Sequence, residues 1–315
     1  MAENKSVATR ASFGKALVEL GEKRDDFIVM DADLAAATQT GMFKKAFPDR
    51  FYDCGIAEQN MIGIAAGIAS TGKKVVVSSF AMFAAGRAFE QIRNSVAYPN
   101  LNVIIGATHA GISVGEDGAT HQCCEDIALM RSIPGMTIIN PADDTEARKA
   151  LYASMEIDGP VYMRFGRLAV PVIFDEDYDF KIGKGVEMRE GMDVTIIATG
   201  LMVNEALIAH DLLKEEGINA RVINMATIKP LDTEIILKAA KETGAIVTAE
   251  EHSVIGGLGS AVAECVCEAC PVPVVKLGVN DEFGHSGPAV KLLDEFGLRA
   301  KNIVEKVKAA IELKG

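Results

Sequence analysis

The chain has 315 residues, 49% hydrophobic and 24% charged, with 32 basic against 44 acidic side chains and a formal net charge of −12. That length suggests two domains at ~100–200 residues each, and the composition excludes disordered, collagenous and low-complexity classes. The acidity argues against nucleic acid as the main partner while leaving room for a local basic pocket that holds a phosphate.

In chain order, short apolar runs alternate with amphipathic segments. Ser12–Glu22 is expected as a helix and Phe27–Met30 as a buried strand. Ala57–Ser70, rich in Gly and Ala, is expected as a close-packing helix. It is followed by strand Val75–Ser79, helix Ala85–Val96 and strand Leu101–Ala107. Helix Asp126–Arg131, strand Met136–Ile139, a helix over Asp144–Met155 capped by Asp143 or Asp144, and strand Val161–Arg164 complete the first series.

Between Pro171 and Gly191 the pattern lapses into an acidic, weakly periodic stretch, read as a linker with room for a short hairpin. A second series runs through strand Val194–Thr199, helix Asn204–Glu216, strand Ala220–Asn224, helix Thr233–Thr243 and strand Ala245–Glu250. Helix Leu258–Ala269, strand Val272–Leu277 and a terminal helix over Ala300–Leu313 close it. The fold class is therefore α/β, with two consecutive domains over 1–172 and 191–315. Each is a mainly parallel sheet flanked by helices, and the linker spans 173–190. No apolar run reaches the ~18 residues of a membrane span, so no membrane association is expected. The N-terminal residues lack an apolar signal core, which makes the cytoplasm the expected compartment.

Six cysteines are too few for a disulfide framework at this length. Cys267-x-x-Cys270 has redox or metal spacing, but no second ligand pair accompanies it. Cys265, Cys267 and Cys270 fit a packed helix better than a zinc site, and no metal ligands are assigned.

Three clusters in the first domain carry chemistry. Cys54-Gly-Ile-Ala-Glu58-Gln places a carboxylate at the entry to the small-residue helix. It is either a first-turn acid favoured by the helix dipole or a buried acid able to share a proton with a nitrogen base. Phe80 and Phe83, three apart after a strand end, are either core or a platform for a ligand at the sheet edge. The loop from Thr108-His109 through Gly115-Glu-Asp117-Gly118-Ala-Thr-His121-Gln122 holds two histidines and two acids among its glycines. It would be costly to order without a function. In the second domain, Ile255-Gly-Gly-Leu-Gly-Ser260 reads as a tight turn before a helix, and His252 and His285 read as structural.

Together the Gly-Ile-Ala-Glu58-Gln motif, the Phe80/Phe83 segment and the Gly-Glu-Asp117-Gly-x-Thr-His121-Gln loop resemble the thiamine-diphosphate transketolase family. The whole chain resembles that family's pyrimidine-binding and C-terminal domains, in that order. The Gly-Asp-Gly…Asn motif that holds the diphosphate through Mg²⁺ is missing. The resemblance therefore implies the C-terminal subunit of a split transketolase. An N-terminal partner would supply the diphosphate and Mg²⁺ site, in an α₂β₂ assembly acting on sugar phosphates.

The resemblance implies roles for single residues. Glu58 would contact N1′ of the aminopyrimidine and drive its imino form. Phe83, with Phe80 behind it, would stack on that ring. Asp117 and His121 would face the donor's hydroxyls, and His121 would share the catalytic work. Arg10, His109 and Arg164 would hold the sugar phosphate. The chain departs from the family pattern at Gly86, where an aromatic often follows, and at Ala37, where relatives place a serine. Other readings implied by the same motifs are the β subunit of a 2-oxoacid dehydrogenase, a deoxyxylulose-phosphate synthase, and a regulatory subunit that has lost its cofactor.

Overall fold

A computed structural model describes residues 5–315. The strands are β1 (Ser6–Ala8), β2 (Phe27–Asp31), β3 (Phe51–Asp53), β4 (Lys74–Phe80), β5 (Val103–Thr108), β6 (Thr137–Ile139) and β7 (Val161–Arg164). They continue with β8 (Ala169–Pro171), β9 (Val186–Arg189), β10 (Val194–Ala198), β11 (Ala220–Asn224), β12 (Thr227–Lys229), β13 (Ile246–Ser253) and β14 (Val274–Val279).

Seven strands form the first sheet in the order β12-β6-β7-β5-β4-β2-β3, and five form the second in the order β14-β13-β10-β11-β9. All pairings in the two sheets are parallel except those of the edge strands β12 and β9. β1 and β8 form a small antiparallel ribbon. The strand-period alternation explains why both faces of the first sheet are buried. Val75, Val77 and Ile105 pack into one apolar cluster, while Val76, Ile104 and Phe27 pack into the other. Fully burying one such aliphatic side chain stabilises by about 1.5–3 kcal/mol.

The structure differs from the expected elements where strands are short. β9 lies inside the segment expected as linker, and it pairs with β11 as an edge strand. β12, expected within the second domain, pairs with β6 of the first sheet. The two units therefore share sheet edges rather than meeting only through a flexible connection. In place of the one helix expected over Ala85–Val96, the chain winds as two π-helical stretches, Met82–Arg87 and Ile92–Ala97, around one short α-turn. Helices Asp126–Arg131, Thr233–Thr243 and Leu258–Ala269 begin and end where the periodicity placed them. No helix among the described residues is long and apolar enough to cross a membrane.

Two buried acids bind the units together. Asp143 is the N-cap of helix Asp144–Ser154. Its carboxylate accepts from the Glu146 backbone N–H at 2.8 Å and from those of Ile173 and Phe174 at 2.6 and 2.7 Å. Glu146 accepts from Asn224 Nδ2 on β11 at 2.7 Å, from the Tyr178 hydroxyl at 2.9 Å and from the Ala142 N–H at 2.7 Å. Burial pushes the Glu146 carboxyl up from 4.5 to about 7. The folded state thus keeps a proton that the unfolded chain releases. The stability this gives is complete below pH 4.5 and lost as pH rises through about 7. Against Glu146→Gln, the wild type should therefore lose relative stability between pH 4.5 and 7. Urea unfolding of both proteins across that range checks it, and a difference independent of pH would refute it.

Candidate active site

The C-terminal ends of β2, β3, β4, β5 and β7 lie along one edge of the first sheet, where open α/β sheets take ligands. The chain passes from β3 into helix Glu58–Ala69, so Glu58 opens that helix. Its side chain is 2% exposed, and its Oε2 accepts from the Arg87 guanidinium at 2.8 Å. Phe80 ends β4, and Phe83 stands in the π-helical turn that follows. Their rings are 5.8 Å apart and nearly parallel at 13°. Arg87 closes the same turn, with its guanidinium 4.5 Å from the centre of the Phe83 ring. One cationic plane therefore touches both the aromatic platform and the buried acid.

The loop after β5 completes the site. His109 stacks on Phe80 at 3.8 Å, and His121 meets Phe83 edge-on at 5.2 Å. His109 adopts a left-handed backbone (φ 56°), a conformation that costs energy in a non-glycine residue and persists only where its surroundings enforce it. Burial, helped by the charges of Arg10 and Arg167, pushes its ring down to about 3, so it is neutral at physiological pH. Arg10 lies 3.3 Å from Nε2 and can only donate. Nδ1 therefore carries the proton and donates to the Thr108 hydroxyl at 2.9 Å. His121 is half-buried, its Nδ1 2.8 Å from the Thr120 hydroxyl, and Asp117 is exposed at the loop tip.

The second domain props this loop. The Glu251 carboxylate accepts the Ser113 N–H at 2.6 Å, and Gln122 donates to the His285 carbonyl at 3.1 Å. Gly111 (φ 83°) is packed so closely against Glu251 that a Cβ there would collide with its carboxylate.

Arg164 corrects an expectation. It is 3% exposed, with Nε 2.9 Å from Asp126 and NH2 donating to the carbonyls of Cys123 and Glu251 at 3.2 and 2.9 Å. A guanidinium held this way ties β7, the loop and β13 together and is not free to meet a phosphate. A second guanidinium that the sequence reading missed, that of Arg167, stands partly exposed three residues on. Arg167 bonds Glu116 at 2.7 Å and the Val114 carbonyl, and the Arg10 guanidinium is lowered first by burial and then by the charge of Arg167. The available signal was a second arginine just past Gly166, where β7 has ended. Arg10 itself is anchored on the Ala37 carbonyl at 2.6 Å, while the Thr38 hydroxyl is spent on Asp31 at 2.7 Å. His109 orients Arg10 in this arrangement instead of offering a proton to an anion.

Other residues stand outside the site. The N-terminus of helix Leu258–Ala269 is filled by the chain's own Glu250, which accepts from Leu258 and Gly259 at 2.7 and 2.8 Å. His252 is buried with Nδ1 2.8 Å from the Ser253 carbonyl, and His285 is exposed beside Glu295. The six cysteines are free thiols.

Comparison with known proteins decides the family. The chain matches the model of the transketolase pyrimidine-binding domain over residues 5–172 and that of the transketolase C-terminal domain over 183–303. The chain belongs to the transketolase family. A solved split-gene transketolase, described as an inactive β4 tetramer, is 52% identical. It superposes with a TM-score of 0.91 over 99% of this chain and 100% of its own. A chain of Methanocaldococcus jannaschii, named provisionally as a transketolase C-terminal section, is 52% identical over 95% of this chain and 94% of its own length. A 6-deoxy-6-sulfo-D-fructose transketolase subunit of Clostridium sp. (strain MSTE9) is 46% identical, over 97% and 95%. This transketolase-family chain is thus the counterpart of the C-terminal subunit of a split enzyme.

The two arginines make opposite predictions. Arg164→Met strands the buried Asp126 carboxylate and should cost about 3–5 kcal/mol of stability. Arg167→Met, which removes only a partly exposed pair, should cost less than about 1 kcal/mol. Denaturant unfolding of both variants reads the contrast, and equal effects would refute the assignment.

Proposed function

We propose that this subunit, joined to an N-terminal subunit that carries the diphosphate and Mg²⁺ site, transfers a two-carbon ketol unit from a ketose to an aldose bearing a terminal anionic group. The reading rests on one observation. A buried carboxylate and an aromatic face sit at the same sheet edge, spaced so that a single planar, hydrogen-bonding cation touches both. The aminopyrimidine of thiamine diphosphate is a planar ring whose N1′, once protonated, would donate to Glu58 as the guanidinium does, so Glu58 and Phe83 fit it. When bound, thiamine diphosphate supplies the reactive carbon and the electron sink.

The residues of this chain do the rest. Glu58 holds and moves a proton at N1′ of the pyrimidine, shielded from water by its burial. Phe83, backed by Phe80, orients the ring. His121, edge-on to Phe83, and Asp117 meet the donor's hydroxyls. Arg10 and Arg167 hold the terminal anion of the sugar, their forks suited to phosphate or sulfonate oxygens. An anionic sugar agrees with the relative named for a sulfo-sugar. An α₂β₂ assembly is the simplest closed form that gives every chain a partner.

Steady-state kinetics of the reconstituted complex test this. A ketopentose phosphate should be turned over and pyruvate ignored. Glu58→Gln should lower kcat by at least ~10²–10⁴-fold with the fold intact. His121→Ala and Asp117→Ala should each weaken ketose turnover about ten- to a hundredfold, with far less effect on cofactor affinity. Pyruvate decarboxylation by the wild-type complex, or full ketose activity in both loop variants, would overturn the proposal.

A further inference from the structure

The guanidinium of Arg87 is planar, cationic and rich in N–H donors. It lies on the Phe83 ring at 4.5 Å while donating to Glu58 at 2.8 Å. Those two contacts are the ones the aminopyrimidine needs under the reading above, on which this inference rests. We infer that Arg87 is a built-in occupant of the pyrimidine seat, holding it closed in the free subunit and leaving when cofactor binds.

Local structure favours such a device. The π-helical winding of Met82–Arg87 is a looser turn than an α-helix, and it brings residue 87 over residue 83. The Arg87 side chain is 47% exposed, so a path to solvent is open to it, whereas Glu58, at 2%, stays fixed at its helix start. While Arg87 is seated, the buried carboxylate has a partner and the aromatic face is covered. The site is thereby protected against leaving an unpaired charge before the N-terminal subunit and cofactor arrive. Cofactor must displace this side chain, so its apparent affinity is reduced by the fraction of chains in the open state.

The test is calorimetric titration of thiamine diphosphate with Mg²⁺ into the reconstituted complex carrying wild-type chain, Arg87→Met or Arg87→Lys. Thermal melting first shows that each variant is folded. Arg87→Met should bind about tenfold more tightly than wild type, the scale of one charge-assisted hydrogen bond removed from the competing state. Arg87→Lys keeps the ion pair to Glu58 but loses the flat stack, and should fall between the two. Should Arg87→Met fail to fold, Arg87→Lys decides alone. Wild-type binding with unchanged or weaker affinity in the folded variants would overturn the inference and leave the functional reading standing. No binding by the wild-type complex would remove that reading, and this inference with it.

Discussion

The buried pair between Arg164 and Asp126 is the contact on which the site depends. A guanidinium and a carboxylate withdrawn from water are tolerated only when their remaining donors and acceptors are met. Here the carbonyls of Cys123 and Glu251 and the Tyr162 hydroxyl complete the set. Those partners belong to the end of the histidine loop, the start of a helix, β7 and β13. One pair therefore fixes the exit of the loop against both sheets. With its far end fixed and Glu251 holding Ser113, the loop can carry His109 in a left-handed conformation and still present His121 to Phe83. The C-terminal domain contributes no side chain to the proposed chemistry, yet it supplies the wall against which the chemistry is arranged.

That division explains the charge pattern at the site. The acids and bases to which the proposal gives work on the cofactor and sugar stand on first-domain elements that follow the strand ends. The acids of the second domain, Glu250 and Glu251, are turned inward to satisfy a helix terminus and a loop N–H. A net-acidic protein thereby keeps a small cationic corner, Arg10 and Arg167, at the mouth of its site, close enough for one guanidinium to lower the other. Glu116 pairs with Arg167 and offsets part of the repulsion between the two guanidinium groups.

Long elements were legible in the sequence because their period repeats several times. Helices Thr233–Thr243 and Leu258–Ala269 begin and end where pattern alone placed them. Strands β1, β3, β8, β9 and β12 are short and lie at sheet edges or in the small ribbon, where pairing is decided by distant partners and not by a buried apolar run. The π-helical turns were invisible because their composition is that of an ordinary helix. Glu58, Phe83 and His121, singled out by motif and setting, are brought together at one sheet edge. Arg164 and Arg167 are separated only by Phe165 and Gly166, and it is the end of β7 at Arg164 that decides which of them faces the core. The engagement of Glu58 by Arg87 joins residues 29 positions apart on different elements and was beyond the reach of spacing arguments.

The account holds that this chain carries the pyrimidine half of a cofactor site and needs a partner for the other half. The most direct test is calorimetric titration of Mg²⁺ and thiamine diphosphate into the purified chain, first alone and then with its N-terminal subunit. The chain alone should show no tight, saturable binding, and the complex should bind one cofactor per pair of unlike subunits. Tight stoichiometric binding to the isolated chain, or none to the pair, would contradict it.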